Sequence, residues 1–250
     1  MFGTDGVRDI ANIGLMTPET AMKLGRAFTV FLINRGAEGP RIAVGRDTRC
    51  SGQMIESALS AGITSAGGNV YSIGEIPTPG VSFSVASGHF DGGAVISASH
   101  NPAEYNGIKY LDGDGFKLSD EEELEIEGLY ETDARSERPT HGAVGRIYDA
   151  GELTGKYLNF LLGIMEKVEN RDHSILIDAA NGAASALVEP LFKNWKGPVS
   201  ILANQPDGLN INSGVGVTNM DFLRRKTMDA KAEIGIAYDG DTDRVLMCDG

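Results

Sequence analysis

The sequence predicts an α/β protein made of two consecutive three-layer domains, each with a mixed, mostly parallel β-sheet. Short apolar segments of strand length alternate with longer segments of helical period along most of the chain. This alternation is typical of sheets that carry helices on both faces. With 250 residues, of which 41% are hydrophobic, the chain can bury the core of one large domain or of two small ones.

A polar, proline-containing stretch divides this alternation into two halves. Residues 132–141 show neither helical nor strand periodicity, which suits a link between domains. We therefore place a boundary near residue 145 and predict domains at 1–145 and 146–250.

The first half begins with a well-marked helix. Thr17 is a capping residue, Pro18 favours the first helical turn and Gly36 suits the stop, so the sequence predicts a helix over 17–35. The periodicity then predicts alternating strands and helices at 41–45, 51–66, 69–73, 79–87 and 93–97.

A β-hairpin is predicted next. Its strands would be 107–111 and 116–118, joined by the turn-forming residues 112–115. Ser119 and Glu122 have the spacing of a capping box, which marks the start of an acidic helix. In the second half, the alternation predicts elements at about 153–168, 174–178, 183–193, 199–202, 220–230 and 233–238.

Composition and charge exclude several classes of function. A net charge of −13 argues against nucleic-acid binding, which needs a surplus of Lys and Arg to neutralise phosphates. No apolar run approaches the roughly 20 residues of a membrane-spanning helix, and the N-terminus lacks the layout of a secretory signal. We therefore expect a cytoplasmic protein without nucleic-acid or membrane partners. Cys50 and Cys248 are far apart in sequence and are predicted to be reduced thiols.

Three carboxylates follow the last predicted strand. Asp239, Asp241 and Asp243 alternate in a short loop at the end of the sheet where ligands bind in open parallel sheets. Two such charges about 4 Å apart repel by about 4 kcal/mol at an effective dielectric near 20, so a tight trio needs a cation. Oxygen ligands favour Mg²⁺, Mn²⁺ or Ca²⁺ over zinc, and a solvated acidic turn is the alternative. An EF-hand is excluded, because Arg244 and Gly250 occupy its glycine and glutamate positions.

A second candidate site is the polar loop at 96–102. It holds Ser97, Ser99 and His100, which invite a hydrolase interpretation, but it lacks the G-x-S-x-G elbow. Lys109 begins the next predicted strand and is close enough in sequence to return beside this loop, although a surface lysine is the simpler interpretation.

Two arginines are candidates for holding phosphate. Arg8 follows a glycine-rich segment, and Arg49 lies between a predicted strand and the helix after it. Guanidinium groups bind phosphate through two parallel hydrogen bonds. Taken singly, each arginine is more simply interpreted as part of a structural salt bridge.

Together these motifs resemble the alpha-D-phosphohexomutase superfamily. The resemblance runs along the whole chain in order, at 2–8, 45–52, 77–79, 96–102, 106–109, 178–182, 208–212 and 235–244. One departure is Asp9, which stands where the family usually has glycine.

The resemblance implies a role for each candidate residue. Ser99 would be the phosphorylated serine, and its phosphoryl oxygen would bind one Mg²⁺ together with the three aspartates. Lys109 would be an acid/base or charge-stabilising group, with His100 and Arg8 supporting the phosphoryl group. Arg244 would orient the acidic loop, and Arg49 would support the phosphate or that loop. Phosphoryl transfer depends mainly on positioning and charge neutralisation, which these groups can supply.

The resemblance also implies an isomerase of carbohydrate metabolism. Phosphoserine would donate its phosphoryl group to a phosphorylated hexosamine, a sugar 1,6-bisphosphate would turn over in the site, and the other phosphate would return to Ser99. The net reaction would convert glucosamine 6-phosphate to glucosamine 1-phosphate, for amino-sugar and cell-wall precursor biosynthesis. The family chain is close to twice as long and contains sugar-binding and distal-phosphate domains that are absent here. We therefore expect this chain to be inactive alone; a homodimer is a further expectation.

Three alternatives stay open. The first is a mutase of the same superfamily that acts on phosphoglucose or phosphomannose. The second is a haloacid-dehalogenase type of phosphatase, although Asp243 occupies the position where that motif has Thr or Val. The third is a non-catalytic metal-binding fragment, which would differ from a mutase in whether Ser99 can carry phosphate.

Overall fold

The polypeptide folds into two β-sheets, and helices cover both faces of each. The structure is a computed structural model and describes residues 1–3, 6–132, 138–169 and 171–250. In these ranges, three of the five neighbouring strand pairs of the first sheet are parallel, as are two of the three in the second. The predicted α/β class with mixed, mostly parallel sheets is confirmed.

The first sheet has the strand order β1-β5-β4-β2-β3-β6. Its strands are β1 (Val7–Ile10), β2 (Arg41–Arg46), β3 (Asn69–Glu75), β4 (Gly92–Ile96), β5 (Tyr105–Leu111) and β6 (Ile147–Asp149). The helices around it are α1 (Pro18–Asn34), α2 (Gly52–Ser65), α3 (Thr78–Gly88), α4 (Asp120–Glu131) and α5 (Glu152–Met165).

Side-chain alternation along the strands builds the layers of the first sheet. Ile42 and Val44 of β2 pack in one core with α1 and α2, whereas Ala43 between them packs in a second core with α3 and α5. This follows from the two-residue period of a strand, which sends successive side chains to opposite faces. The predicted helix starts are confirmed: the Thr17 hydroxyl accepts the Thr20 N–H, and the Ser119 capping box is complete.

The second sheet has the order β10-β9-β7-β8. Its strands are β7 (Ile175–Asp178), β8 (Val199–Leu202), β9 (Ile234–Tyr238) and β10 (Val245–Asp249). The helices around it are α6 (Ser185–Phe192) and α7 (Met220–Ala230). Ile177 packs with α6 on one face, and Leu176 packs with α7 on the other. Short 3₁₀ helices occur at His141–Ala143 and Gly216–Thr218.

The predicted hairpin is confirmed only in part. Its first strand lies within β5, but residues 116–118 make a single antiparallel bridge, Leu111 to Lys117, with the Leu118 N–H donating to the Tyr110 carbonyl, and they do not form a strand. The strands that pair with β5 are β4 and, along Tyr105–Ile108, β1; both are antiparallel to it, and the polar loop containing Ser99 joins β4 to β5. The turn itself exists, since the Asp112 carboxylate accepts the N–H groups of Asp114 and Phe116.

The structure also bears on the division of the chain. β6 pairs in parallel with β3, so the first sheet includes residues beyond position 145. The boundary at 145 stays a prediction, and residues 133–137 of the predicted link lie outside the described residues. Cys50 and Cys248 are both free thiols. No helix within the described ranges has the length and apolar character needed to cross a membrane.

Candidate active site

Two loops from different sheets meet at the candidate site. The serine loop (residues 97–104) follows β4, and the acidic loop (residues 239–244) follows β9. The Ser99 hydroxyl donates a hydrogen bond of 2.9 Å to Oδ2 of Asp239, so the two loops are in direct contact. The carboxyl ends of two strands thus place these groups side by side, as open α/β sheets do with ligand-binding residues.

Ser99 is buried and lies in an unusual backbone conformation. Its φ of 50° falls in the left-handed region, which costs a non-glycine residue on the order of 1 kcal/mol and persists only where the surroundings hold it. Its N–H donates to Oγ of Ser97 at 2.8 Å, and Ser97 Oγ donates to the buried Asp47 at 2.6 Å. These bonds fix the turn that aims the Ser99 hydroxyl at the acidic loop.

Arg49 binds the backbone of the serine loop from the buried side. Its side chain is fully buried, and its guanidinium donates to Asp47 and to the carbonyl oxygens of Ser99, Asn101, Pro102 and Tyr105. The five N–H donors of a guanidinium are therefore all engaged. The direct phosphate contact suggested for Arg49 from the sequence is not available in this geometry, and its support is exerted through the loop.

Asn212 holds the same loop from the second half of the chain. Its Nδ2 donates to the carbonyl oxygens of Ser99 at 2.8 Å and Asn101 at 3.1 Å. Its backbone N–H is bound to the carbonyl of Ala180, which ties it to the end of β7. The segment 208–212 belonged to the family resemblance, but nothing in the sequence indicated this contact between distant segments.

The three aspartates of the acidic loop form one cluster. A carboxylate oxygen from each of Asp239, Asp241 and Asp243 lies within 4.8 Å of the others, as the sequence predicted. Burial, followed by the charges of the other two carboxylates, raises the pKa of Asp239 to about 6. The donors that face Asp239 are Ser99 Oγ and the backbone N–H and Nε of Arg244.

Asp241 lies at the centre of this cluster. Its Oδ2 accepts hydrogen bonds from Thr78 Oγ1 at 2.6 Å and from Lys109 Nζ at 2.9 Å. Its Oδ1 is buried and has no hydrogen-bond donor among the described residues. Burial alone would raise the pKa of Asp241, but the charge of Lys109 and these hydrogen bonds lower it overall. A buried carboxylate oxygen without a donor suits a hard divalent cation, so the residues present fit such an ion.

Lys109 bridges two members of the cluster. Besides its contact with Asp241, its Nζ lies 3.2 Å from Oδ2 of Asp243, and its side chain is 4% exposed. Lys109 thus contacts the acidic loop, and its strand β5 pairs with β4, which leads into the serine loop. In this geometry its ammonium offsets part of the negative charge of the cluster.

An open cavity of about 570 Å³ lies in front of these loops. Its lining includes Met1, Gly3, Gly6, Arg8, His100, Asp243 and Arg244. Three of these side chains, Arg8, His100 and Arg244, are basic. Burial, followed by the charges of Arg244 and Arg8, lowers the pKa of His100. The cavity therefore offers cationic groups to an anion, which the net negative charge of the chain would otherwise repel.

Arg244 covers the serine hydroxyl. Its Nη2 contacts both Oγ of Ser99 and, at 2.5 Å, Nδ1 of His100. Ser99 itself is 0% exposed, whereas the Arg244 side chain is 49% exposed. For a phosphoryl group to reach Ser99, the half-exposed side chain of Arg244 must therefore shift.

Comparison with known protein families identifies the class of protein. Residues 1–137 match the family described as phosphoglucomutase/phosphomannomutase, alpha/beta/alpha domain I. The chain belongs to this family, and the predicted resemblance is confirmed.

Individual relatives show which members of the family this chain resembles. The chain is 46% identical to phosphoglucosamine mutase of Oceanobacillus iheyensis over 248 residues, and 46% identical to phosphoglucosamine mutase of Streptococcus mutans over 251. Each match covers 99% of this chain and 55% of the relative, so the chain spans about half the length of the curated relatives it matches.

Solved structures show the same fold. A crystal structure of a phosphoglucomutase/phosphomannomutase family protein from Burkholderia thailandensis has a TM-score of 0.83 and 28% identity, covering 99% of this chain and 54% of that one. Parafusin, a phosphoglucomutase from Paramecium, has a TM-score of 0.71 at 19% identity, covering 99% of this chain and 52% of that one. The latter supports the fold alone.

Proposed function

We propose that the protein carrying this chain is a phosphoglucosamine mutase, an isomerase that interconverts glucosamine 6-phosphate and glucosamine 1-phosphate. The contact between the Ser99 hydroxyl and the cluster of three carboxylates carries the proposal, because it joins a phosphoryl acceptor to a cation site. The identity of 46% to phosphoglucosamine mutases over nearly the whole chain supports the choice of substrate.

The proposed reaction comprises two phosphoryl transfers. In the first, a sugar hydroxyl oxygen attacks the phosphorus of phosphorylated Ser99, the Oγ–P bond breaks, and the hydroxyl proton passes to Oγ. In the second, Oγ attacks the other phosphate of the sugar bisphosphate, that sugar O–P bond breaks, and the proton returns to the sugar oxygen. Between the transfers Ser99 is a free hydroxyl, and Asp239 Oδ2 accepts its hydrogen bond at 2.9 Å.

Asp239, Asp241 and Asp243 would hold one Mg²⁺, with a phosphoryl oxygen on Ser99 completing the protein ligands. Bound there, the ion would neutralise charge on the phosphoryl group. Lys109 forms ion pairs with two of these carboxylates, Asp241 and Asp243, and its charge helps to lower the pKa of Asp241. These assignments rest on the oxygen-only donor set and on the buried Asp241 Oδ1.

Arg8, His100 and Arg244 would bind the phosphates of the sugar. All three line the cavity, and charge-assisted hydrogen bonds to phosphate are among the strongest available to side chains. The lowered pKa of His100 favours its neutral form near pH 7, so this imidazole would act as a hydrogen-bonding group.

Label mapping tests the proposal. The complete protein is incubated with Mg²⁺ and a sugar 1,6-bisphosphate carrying labelled phosphate, and the modified residue is located by peptide mapping. We expect acid-stable label on Ser99 and none in the Ser99→Ala variant. Label on Ser97, an acyl phosphate on Asp239, or no transfer at all would contradict the mechanism, and the last result would favour a metal-binding protein without catalysis.

Substrate choice needs a separate measurement. The Burkholderia thailandensis structure supports phosphoglucose and phosphomannose as alternative substrates. Comparing kcat/KM for the 1-phosphates of glucosamine, glucose and mannose decides among them. We expect the highest value for glucosamine 1-phosphate; a higher value for either other sugar would reassign the substrate within the family.

The phosphatase alternative is less well supported by the geometry. It would need Asp239 as the nucleophile, yet Asp239 Oδ2 is bound by both Ser99 and Arg244, and Oδ1 accepts the backbone N–H of Arg244. A cytoplasmic location and a homodimer are retained as proposals for the complete protein. They are checked by cell fractionation and by light scattering, respectively.

A further inference from the structure

Thr78 makes a two-point contact with the central aspartate of the acidic loop. Its hydroxyl donates to Oδ2 of Asp241 at 2.6 Å, and its backbone N–H donates to the Asp241 carbonyl at 2.9 Å. Thr78 is the first residue of α3 and belongs to the first half of the chain, whereas Asp241 belongs to the second. The start of α3 therefore fixes both the backbone and the carboxylate of Asp241.

This contact occupies one oxygen of the carboxylate and leaves the other available. Oδ2 receives Thr78 and Lys109, while Oδ1 is buried and receives no donor from the described residues. Two donors on one oxygen fix the rotation of the carboxylate about its Cβ–Cγ bond. One carboxylate oxygen of Asp241 lies within 4.8 Å of an oxygen from each of Asp239 and Asp243, and Oδ1 is the Asp241 oxygen that the donors of the described residues leave available.

Of the two donors, Thr78 is the one suited to set this rotation. Its β-branched side chain has a single, restricted torsion, and Pro77 and Pro79 fix the backbone on either side of it. Lys109 reaches the same oxygen on a flexible four-carbon side chain and also contacts Asp243. It therefore offsets the charge of the carboxylates more than it fixes the rotation of the Asp241 carboxylate.

We infer that Thr78 is a positioning residue for the divalent cation: its hydroxyl holds Oδ2 of Asp241 so that Oδ1 of the same carboxylate faces the ion. The inference rests on the proposed function in one respect, that the three aspartates bind Mg²⁺. Residues that orient metal ligands typically change metal affinity by about 10–100-fold when they are removed.

Calorimetric titration of the complete, unphosphorylated protein with Mg²⁺ tests this role without measuring activity. Thr78→Val keeps the shape of the side chain and removes the hydroxyl, and we expect its Kd for Mg²⁺ to rise about tenfold or more. Thr78→Ser restores the hydroxyl and should remain within about threefold of the parent. Should Thr78→Val not fold by circular dichroism, Thr78→Ala is held to the same criterion.

The matched control is Thr48→Val. The Thr48 hydroxyl also bridges the two halves, donating to the Asn181 carbonyl at 2.6 Å, and within the described part of the chain its hydrogen bond goes to this backbone carbonyl and not to a carboxylate. Its Kd should remain within about threefold of the parent. The inference is overturned if Thr78→Val binds like the parent, if Thr78→Ser binds as weakly as Thr78→Val, or if Thr48→Val is equally weakened. If the parent itself binds no Mg²⁺, the proposed function fails instead.

Discussion

The buried ammonium of Lys109 offsets the charge of Asp241 and Asp243, and its removal should be costly. Removing one member of a buried ion pair typically destabilises a protein by about 3–5 kcal/mol, because the other charge stays buried without compensation. We expect Lys109→Met to lower the free energy of unfolding by about 3 kcal/mol in a chelator, and by less in saturating Mg²⁺. Urea denaturation with and without Mg²⁺ measures both values.

Lys226 supplies the control for this prediction. It pairs with Asp229 at 4.0 Å on the surface of α7, where both side chains are largely exposed. An exposed pair contributes at most about 1 kcal/mol, so Lys226→Met should change stability little and independently of Mg²⁺. An Mg²⁺-independent loss in Lys109→Met would mean that the lysine does not compensate the cluster.

Single residues of the site were predictable when their chemistry was visible in their own segment. Ser99 and the three aspartates follow strands, so their residue types and positions indicated a site. Thr78 and Asn212 could not be found in this way, since their roles exist only through contacts with segments more than a hundred positions away. Arg49 was found, but its burial beneath the serine loop was not, because an arginine at a strand end is equally compatible with phosphate binding.

At the scale of elements, the acidic loop has no room for a side chain at Gly240. A Cβ built there would lie 2.7 Å from the Ser99 carbonyl oxygen and 2.9 Å from Asn212 Nδ2. Gly240→Ala should therefore push the two loops apart, weaken Mg²⁺ binding, and lower the free energy of unfolding by about 1–3 kcal/mol. Calorimetry with Mg²⁺ and thermal unfolding measure the two effects.

A glycine-to-alanine substitution in an exposed part of a helix should instead raise the free energy of unfolding. Gly163 lies in α5, and a Cβ there would meet no atom within 4 Å. Gly163→Ala should stabilise the protein by about 0.5–1 kcal/mol, because alanine loses less backbone entropy in a helix. Equal Mg²⁺ affinity in Gly240→Ala and the parent would show that the two loops tolerate separation.

The serine loop offers a second test at this scale. Asn212→Asp would keep the shape of the side chain but replace a double donor with oxygens facing the Ser99 and Asn101 carbonyls. We expect the single-turnover rate of Ser99 phosphorylation to fall at least tenfold, about 1.4 kcal/mol, with little change in the KM for the bisphosphate.

Asn210→Asp is the comparison variant. Asn210 lies two positions away, and among the described residues its side chain bonds the backbone of Gln205 and Asp207 in its own loop, so its change should affect the rate less than about threefold. A similar loss of rate in both variants would point to general disruption of the loop.

Elements with strong periodicity or caps were predicted well, including the edge strand β8, whereas the edge strands β1, β6 and β10 were not predicted. β1 and β10 each pair with a single strand at a sheet edge. β10 is largely exposed, and β1 follows a glycine-rich segment, so neither shows the apolar alternation of a half-buried strand. The hairpin was predicted correctly in its first strand and its turn, but residues 116–118 make one bridge to β5 and do not form a strand.

At the scale of the whole molecule, we predict that residues 1–250 alone accept phosphate at Ser99 but turn over slowly. The serine, the carboxylates and the basic cavity are all present, whereas the curated relatives are nearly twice as long. A bisphosphate must be held while one end reacts, and such positioning supplies much of the rate enhancement. A coupled assay at equal Mg²⁺ and bisphosphate compares this chain with the complete protein. Turnover within about tenfold, or about 1.4 kcal/mol, would contradict the prediction.

The serine loop is bound by Arg49 from one half of the chain and by Asn212 from the other, through the same two carbonyl oxygens. The conformation of the loop that carries Ser99 therefore depends on both halves of the chain, and we do not expect either half to be an exchangeable module. Consider a chimera that joins residues 1–150 to the second half of a distant homologue. We expect its serine loop to be held correctly only if the residues on both sides of this contact came from one parent or had changed in a compatible way. We therefore expect recombination within the family to be constrained at this contact between the two halves.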